Sequence, residues 1–166
     1  MKEVDTDFGP GCIGVISGDD MARFHHLVIS LDSLRVPRGS AYCHATSCNP
    51  ARNTNNLVKM MLAMPEMQWL WIMGDDHCFD DDVLLKLLAR DKDCIMPLCA
   101  RRMFPFDPVV MKEFAPEVGI HDWFTWDEVE KFDEPFPVAA GGTAGLLVKR
   151  HVFEKMRSPW FEVGKW

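Results

Sequence analysis

The sequence predicts an α/β fold whose central sheet is mainly parallel and flanked by helices. Short apolar runs alternate with segments of helical periodicity along residues 12–98, the pattern that successive strand–helix units produce. Residues 69–73 (WLWIM) are apolar throughout, as expected of a strand covered on both faces. The successive strand–helix steps imply a parallel sheet, in which the crossover connections are right-handed.

The first elements follow from local patterns. Residues 12–17 form a short apolar run that ends at Gly18 and predicts a strand. Residues 21–34 place apolar side chains three and four positions apart, which predicts an amphipathic helix. A second strand is predicted at residues 41–45. Asn49 and Pro50 then suit the cap and first position of a helix that extends to about residue 64.

Further elements follow the apolar strand at residues 69–73. Three aspartates at residues 80–82 predict the start of a Leu-rich helix, because carboxylates are favourable at the positive end of the helix dipole. A strand is predicted at residues 93–98. Beyond residue 101, prolines divide the chain into shorter pieces. There the patterns predict strands at 109–114, 136–140 and 144–148 and a helix at 150–156. A length of 166 residues predicts a single domain.

Composition narrows the classes of function. The 18 basic and 25 acidic residues give a formal charge of −7, which argues against a nucleic-acid partner because no basic patch is available to neutralise phosphates. No apolar stretch has the length of a transmembrane segment, and the first residues are polar. The six cysteines form no CxxC pair, so we expect free, buried thiols and a cytoplasmic protein.

The turn at residues 74–77 (Gly-Asp-Asp-His), here called the acidic turn, is the strongest chemical signal. It follows the apolar strand directly, and ligands of open α/β sheets bind beyond the carboxyl ends of strands. Asp75, Asp76 and His77 favour a cation there, because clustered carboxylates are unfavourable alone. Their oxygen and imidazole atoms suit Mn²⁺, or Mg²⁺ if mainly oxygens bind. The alternative is that the aspartates cap the turn or are solvated.

Residues 69–88 (WLWIMGDDHCFDDDVLLKLL) resemble the metal-binding segment of GT-A glycosyltransferases of the family 2 type. In that family a strand ends in a DxD-like motif before acids and a Leu-rich helix. Other matching segments, in family order, are Ala51-Arg52-Asn53, residues 99–109, residues 141–148 and Pro159-Trp160-Phe161. The resemblance covers nearly the whole chain. It implies a GT-A Rossmann-like sandwich with a nucleotide-sugar-binding half (about 12–100) and an acceptor-side half (about 101–166).

The resemblance implies a metal-dependent enzyme that transfers a sugar from a nucleotide-sugar donor to a glycan, lipid or protein acceptor. The implied donor-binding residues are Ser17, Gly18, Asp19, Arg52, Asn53, Asp75 and Asp76. The implied acceptor-side residues are Trp123, Gly141, Gly142 and Thr143. Asp75, Asp76 and His77 would hold Mn²⁺ or Mg²⁺, and the ion would stabilise the departing diphosphate.

Two departures from the family leave alternatives open. The motif reads as Asp75-x-His77 or as Gly74-x-Asp76, so its register is not fixed. The catalytic acid that usually follows the PWF-like segment is expected beyond Trp166. A degenerate or truncated GT-A domain, which binds nucleotide or a partner without turnover, is therefore the main alternative. A nucleotidyltransferase ranks lower because Gly18-Asp19-Asp20 is acidic rather than basic. The donor, the acceptor and the stereochemical course are open.

Overall fold

The computed structural model describes residues 1–18, 25–101, 103–143 and 145–164. Within them the chain forms two compact units. The first, here called the sheet unit, comprises Met1–Pro97 and Thr143–Val163, and the second, the inserted unit, comprises Leu98–Gly142 with Gly164. The boundary predicted near residue 100 lies close to the division at Pro97, but the chain returns to the sheet unit at Thr143.

The described elements match most of the predicted ones, with shorter strands after residue 90. The strands are β1 (Lys2–Val4), β2 (Cys12–Ser17), β3 (Arg35–Pro37), β4 (Ala41–Thr46), β5 (Trp69–Gly74), β6 (Cys94–Ile95), β7 (Val110–Ala115), β8 (Ile120–Trp123), β9 (Ala140–Gly141) and β10 (Leu146–Lys149). The helices are α1 (His25–Ser33), α2 (Pro50–Leu62), α3 (Val83–Ala89), α4 (Trp126–Val129) and α5 (Arg150–Lys155). Within the ranges given above, none of these helices has the length and apolar composition needed to span a bilayer.

The main sheet is mixed, and the prediction of a mainly parallel sheet is wrong. Its strand order is β4-β2-β5-β10-β6. β2 pairs in parallel with β4 and β5, whereas β10 is antiparallel to both β5 and β6. The antiparallel strand arises because β10 returns from the inserted unit and is not joined to β5 by one strand–helix crossover. β2 and β5 are neighbours as predicted, but β10 separates β5 from β6.

Helices cover both faces of this sheet. Side chains alternate along β2 and β5, so that Ile13 and Trp71 face one way and Cys12 and Leu70 face the other. The first face packs against Leu27 of α1 and Leu84 and Leu87 of α3. The second packs against Leu57, Val58 and Met61 of α2 and Phe153 of α5. This confirms that the strand at residues 69–73 is buried on both sides.

Helix α2 is fixed at both ends by side chains. At its start, the Asn49 side chain accepts a hydrogen bond from the Arg52 backbone N–H at 3.0 Å, which confirms the predicted cap. At its end, the guanidinium of Arg150 donates to Met64 O at 2.9 Å and to Leu62 O at 3.1 Å, and it also contacts the carbonyls of Met61 and Met67. Arg150, which follows the inserted unit in the sequence, therefore provides hydrogen-bond donors for the last carbonyl groups of α2.

The inserted unit has a three-stranded sheet of order β8-β7-β9. The rings of Phe124, Phe132 and Phe136 form an aromatic cluster, in which those of Phe132 and Phe136 are stacked at 4.3 Å. Helix α4 begins with a capping box between Thr125 and Glu128. A hydrogen bond from Lys112, together with the Thr125 backbone N–H, lowers the pKa of Glu128 to about 2. The unit thus contains its own apolar cluster and capped helix.

All six cysteines are free thiols. Cys12 on β2 and Cys43 on β4 are buried, but Cys48, Cys78 and Cys94 are exposed, so the expectation of buried thiols holds for only part of the set. A hydrogen bond from the Cys12 thiol lowers the pKa of Cys43 to about 7 against the opposing effect of burial. The same hydrogen bond, with burial, raises the pKa of Cys12.

Candidate functional site

The carboxyl ends of β2, β4 and β5 meet at one edge of the sheet. Ser17 pairs with Thr46, and Ile16 pairs with Gly74, so the three strands finish side by side. Loops leaving adjacent parallel strands at such an edge are the usual ligand-binding place in open α/β folds. Most of the predicted donor-binding and metal-binding residues follow these strand ends.

Asn53 ties two of these strand ends together. Its Nδ2 donates to Ser17 O at 2.8 Å and to Ser47 O at 3.0 Å, and its Oδ1 accepts from Ser47 Oγ at 2.6 Å. The residue is only 2% exposed. A buried amide satisfied in this way stabilises the loop, because buried polar groups are unfavourable without partners. In this structure Asn53 positions the strand ends, and its predicted part in donor binding stays a prediction.

Ser17 and His44 form a second polar contact at the same edge. The Ser17 hydroxyl is buried and lies 2.9 Å from His44 Nε2, and Thr46 Oγ1 lies 3.2 Å from the same nitrogen. The sequence prediction did not include His44. The feature that could have identified His44 is the alternation of side chains along β4. His44 and Thr46 are more accessible than their buried neighbours Cys43 and Ala45. His44 is therefore a further candidate for ligand contact.

Gly18 and Arg52 are the more open members of the predicted donor set. Gly18 is exposed, and a Cβ added to it would meet no atom of the described residues within 4 Å. Arg52 is exposed in the first turn of α2, where a cation is disfavoured by the helix dipole unless an anion joins it. Asp19 lies outside the described residues.

In the acidic turn, Asp76 and His77 contact each other. Asp76 Oδ1 lies 3.1 Å from His77 Nδ1, and the same nitrogen lies 3.3 Å from Gly74 O. A proton on Nδ1 would be donated to these two oxygens, which leaves the lone pair on Nε2. Metal-binding histidines are commonly oriented by such a bond from their other ring nitrogen. Asp76, rather than Asp75, makes this contact.

The backbone and the core fix the position of the acidic turn. A Cβ added at Gly74 would lie 2.8 Å from Asp76 Oδ1 and 3.1 Å from the His77 ring, so glycine allows this close approach. Just beyond the turn, the Phe79 ring contacts Trp71 edge-on at 5.1 Å, and the Phe79 N–H donates to Ser30 Oγ at 3.1 Å. The turn is thus anchored on both sides.

The donor atoms of the acidic turn fit a cation shared with a ligand. Nowhere in the described part of the chain do three or more His, Cys, Asp or Glu side chains converge as a metal-binding group. Asp76 and His77 are 19% and 31% exposed, so both are accessible from solvent. Mg²⁺ and related cations often take one or two protein ligands and complete their shell with water and phosphate oxygens. The pair suits that kind of site rather than a closed protein cage.

The predicted acceptor-side residues are divided between the two units. Gly141 pairs with Val110 in the inserted unit, and the Gly142 N–H donates to Val109 O at 3.3 Å. Trp123 ends β8, with the Arg101 guanidinium 4.4 Å above its ring.

Thr143 belongs to the sheet unit and precedes β10, and its carbonyl accepts from the Leu146 N–H at 3.3 Å. Leu146 pairs with Ile72, and the Trp71 indole donates to Gly145 O at 2.8 Å. Gly145 has a φ of +72°, and a Cβ there would lie 2.7 Å from Pro97. Of the predicted acceptor residues, Thr143 is therefore the one that belongs to the same unit as β5.

Comparisons with known proteins bear on the fold. No family model matches the chain, and no curated protein sequence matches it. The solved structure of A197 from STIV superposes with a TM-score of 0.59 at 16% identity, over 92% of this chain and 71% of that one. At this identity the likeness shows a shared fold and no activity.

A second solved structure is the 4-diphosphocytidyl-2C-methyl-D-erythritol synthase from Anaerococcus prevotii. It has a TM-score of 0.49 and 12% identity, over 95% of this chain and 81% of that one. A similarity at this TM-score carries no argument about fold or function. The likeness to A197 from STIV therefore bears on the fold alone.

Proposed function

We propose that the chain is a metal-dependent glycosyltransferase that binds a nucleotide-sugar at the carboxyl ends of β2, β4 and β5. The observation that carries the proposal is the Asp76–His77 contact directly after β5, with Nδ1 of His77 held by Asp76 and Gly74. The pair stands at the edge where α/β folds bind ligands. An anionic donor needs local positive charge here, because the whole chain carries −7.

In the proposed site, His77 Nε2 would hold Mn²⁺ or Mg²⁺, and Asp76 would orient the imidazole through Nδ1. Water and phosphate oxygens of the donor would complete the shell of the cation. When bound, the cation would offset negative charge on the diphosphate that leaves the sugar. Arg52 supplies a second positive charge from the first turn of α2. It thereby assists in orienting the same anionic group.

The remaining residues shape the nucleotide side of the site. Among the described residues no atom would meet a Cβ at Gly18, and glycine here allows a base or ribose to approach the backbone at the end of β2. Asn53 keeps that strand end in place through Ser17 O. His44 offers a polar edge for hydrogen bonding, next to the hydroxyls of Ser17 and Thr46.

The test is calorimetric titration with UDP-, GDP-, CMP- and dTDP-sugars in Mn²⁺ and in EDTA. We expect one donor to bind in a metal-dependent way. Asp76→Asn should weaken that binding by about tenfold or more, as removal of a metal-orienting carboxylate does. Asp80→Asn is the control, since this exposed aspartate lies just beyond the turn. Equal binding in Mn²⁺ and EDTA would defeat the metal-dependent mechanism.

Product analysis then distinguishes the kinds of activity. Release of the nucleoside diphosphate (or of CMP from a CMP-sugar), with the sugar recovered on the acceptor, supports glycosyl transfer. Binding without release, in the presence of a range of acceptors, favours a domain that binds nucleotide without turnover. Release of pyrophosphate from a nucleoside triphosphate would instead identify a nucleotidyltransferase.

A further inference from the structure

The inserted unit carries a turn of exposed apolar side chains, here called the aromatic tip (Met103, Phe104, Pro105 and Phe106). Met103 is 78% exposed, Phe104 86% and Phe106 51%. Among the large apolar residues within the described ranges, Phe104 is the most exposed. Isolated exposed apolar residues are common, but several on one turn indicate an interaction surface.

Hydrogen bonds hold the aromatic tip in its exposed position. The Phe106 N–H donates to Met103 O at 2.8 Å and closes the turn, and the Arg101 N–H donates to Asp107 O at 2.9 Å below it. The Trp126 indole donates to Phe106 O at 3.0 Å. The Phe104 and Phe106 rings contact each other edge-on at 6.3 Å. These hydrogen bonds therefore fix the conformation of the turn that carries the exposed apolar side chains.

The form and charge of this turn favour a lipid surface as its partner. A stable protein interface buries about 800 Å² on each side, and a single turn with three apolar side chains offers far less. A bilayer interface needs no complementary shape and accommodates aromatic rings at the level of the headgroups. In the sequence, Arg101 and Arg102 directly precede the tip, and residues 101–106 contain no acid. Arginine is well suited to lipid phosphates.

We infer that the aromatic tip inserts into the headgroup region of a phospholipid bilayer and holds the protein reversibly at the membrane surface. The inference does not depend on the proposed activity. One short apolar turn gives marginal affinity, and the net charge of −7 opposes accumulation at a strongly anionic surface. Binding is therefore weak, is driven mainly by apolar insertion and occurs on neutral vesicles.

The test is flotation of the full chain with phosphatidylcholine vesicles and with mixed phosphatidylcholine–phosphatidylserine vesicles. Phe104→Ser should lower the partition coefficient by about tenfold, because it removes one exposed aromatic side chain from the lipid contact. Val118→Ser, at another exposed apolar position of the same unit, should leave it unchanged. In a second measurement, Phe104→Trp is compared with Val118→Trp for fluorescence quenching by brominated phosphatidylcholine. Quenching specific to position 104 is expected.

Each alternative outcome overturns the inference. Absence of flotation on both vesicle types, or equal flotation of Phe104→Ser and the unchanged chain, excludes insertion of the tip. Flotation on the mixed vesicles alone indicates binding by charge rather than by the aromatic side chains. Concentration-dependent dimers in sedimentation, lost in Phe104→Ser and accompanied by no lipid binding, would assign the tip to a second copy of the chain.

Discussion

The two loops at the carboxyl edge of the sheet use their polar side chains differently. After β4, Ser47 and Asn53 bond to one another and to the backbone ends of two strands, and Asn53 is almost completely buried. After β5, Asp76 and His77 contact each other, His77 also contacts Gly74 O, and both side chains are partly exposed. The first loop joins the strands, whereas the second holds a pair of donor atoms toward solvent. Polar residues at a strand end therefore mark a site only where their atoms remain accessible.

The largest effect should come from Asn53→Ala. The substitution leaves Ser17 O and Ser47 O without the Asn53 donor in a buried position, so the free energy of unfolding should fall by about 2–4 kcal/mol. Urea denaturation measures the change. Asn56→Ala, at a less buried asparagine of the same helix, should cost less than about 1 kcal/mol. Equal effects of the two substitutions would contradict the role of Asn53 in joining the strand ends.

Gly74→Ala should affect the acidic turn more than the fold. The new methyl group would lie 2.8 Å from Asp76 Oδ1 and would displace the carboxylate from His77. Because the carboxylate can move toward solvent, we expect a loss of about 1 kcal/mol or less in unfolding free energy. Metal-dependent nucleotide affinity should fall by about tenfold. Calorimetry with and without Mn²⁺, beside a thermal melt, separates the two effects. A large loss of stability with unchanged affinity would show that the turn serves the fold.

Asp75→Asn should have the smallest effect. Asp76, not Asp75, contacts His77, so the neutral amide at position 75 should change stability by about 0.5 kcal/mol at most. Nucleotide affinity in Mn²⁺ should fall less than in Asp76→Asn. Titration of both variants under one set of conditions fixes the register of the motif. The reverse order would assign the metal to the Asp75-x-His77 reading.

Local sequence patterns predicted much of the sheet unit. β2, β5 and α2 follow directly from apolar periodicity, and the Asn49 cap was identified at the correct residue. The strand direction at residues 146–149 was not predictable in this way, because an apolar run has the same pattern in either direction. The pairing of β10 between β5 and β6 depends on contacts distant in sequence. A mixed sheet therefore replaced the expected mainly parallel one.

The site was predicted in part. Strand-end reasoning located Asp76 and His77, whose contact the structure then provides. It did not show that Asn53 is buried and joins two strand ends, because its hydrogen bonds to Ser17 O and Ser47 O depend on how the strands pack in the fold. It also omitted His44, since a histidine inside a strand has no partner at short sequence spacing. Metal binding and sugar transfer stay predictions.

The return of the chain at Thr143 has a consequence for synthesis on the ribosome. β10 fills the place between β5 and β6, and Arg150 completes the end of α2. Until those residues emerge, β5 has an unpaired edge and the last carbonyls of α2 lack their guanidinium partner. The inserted unit, by contrast, has its strands within Leu98–Gly142, and this segment is synthesised before β10. The nascent protein can therefore complete the middle of its sequence before it completes the sheet that begins near its N-terminus.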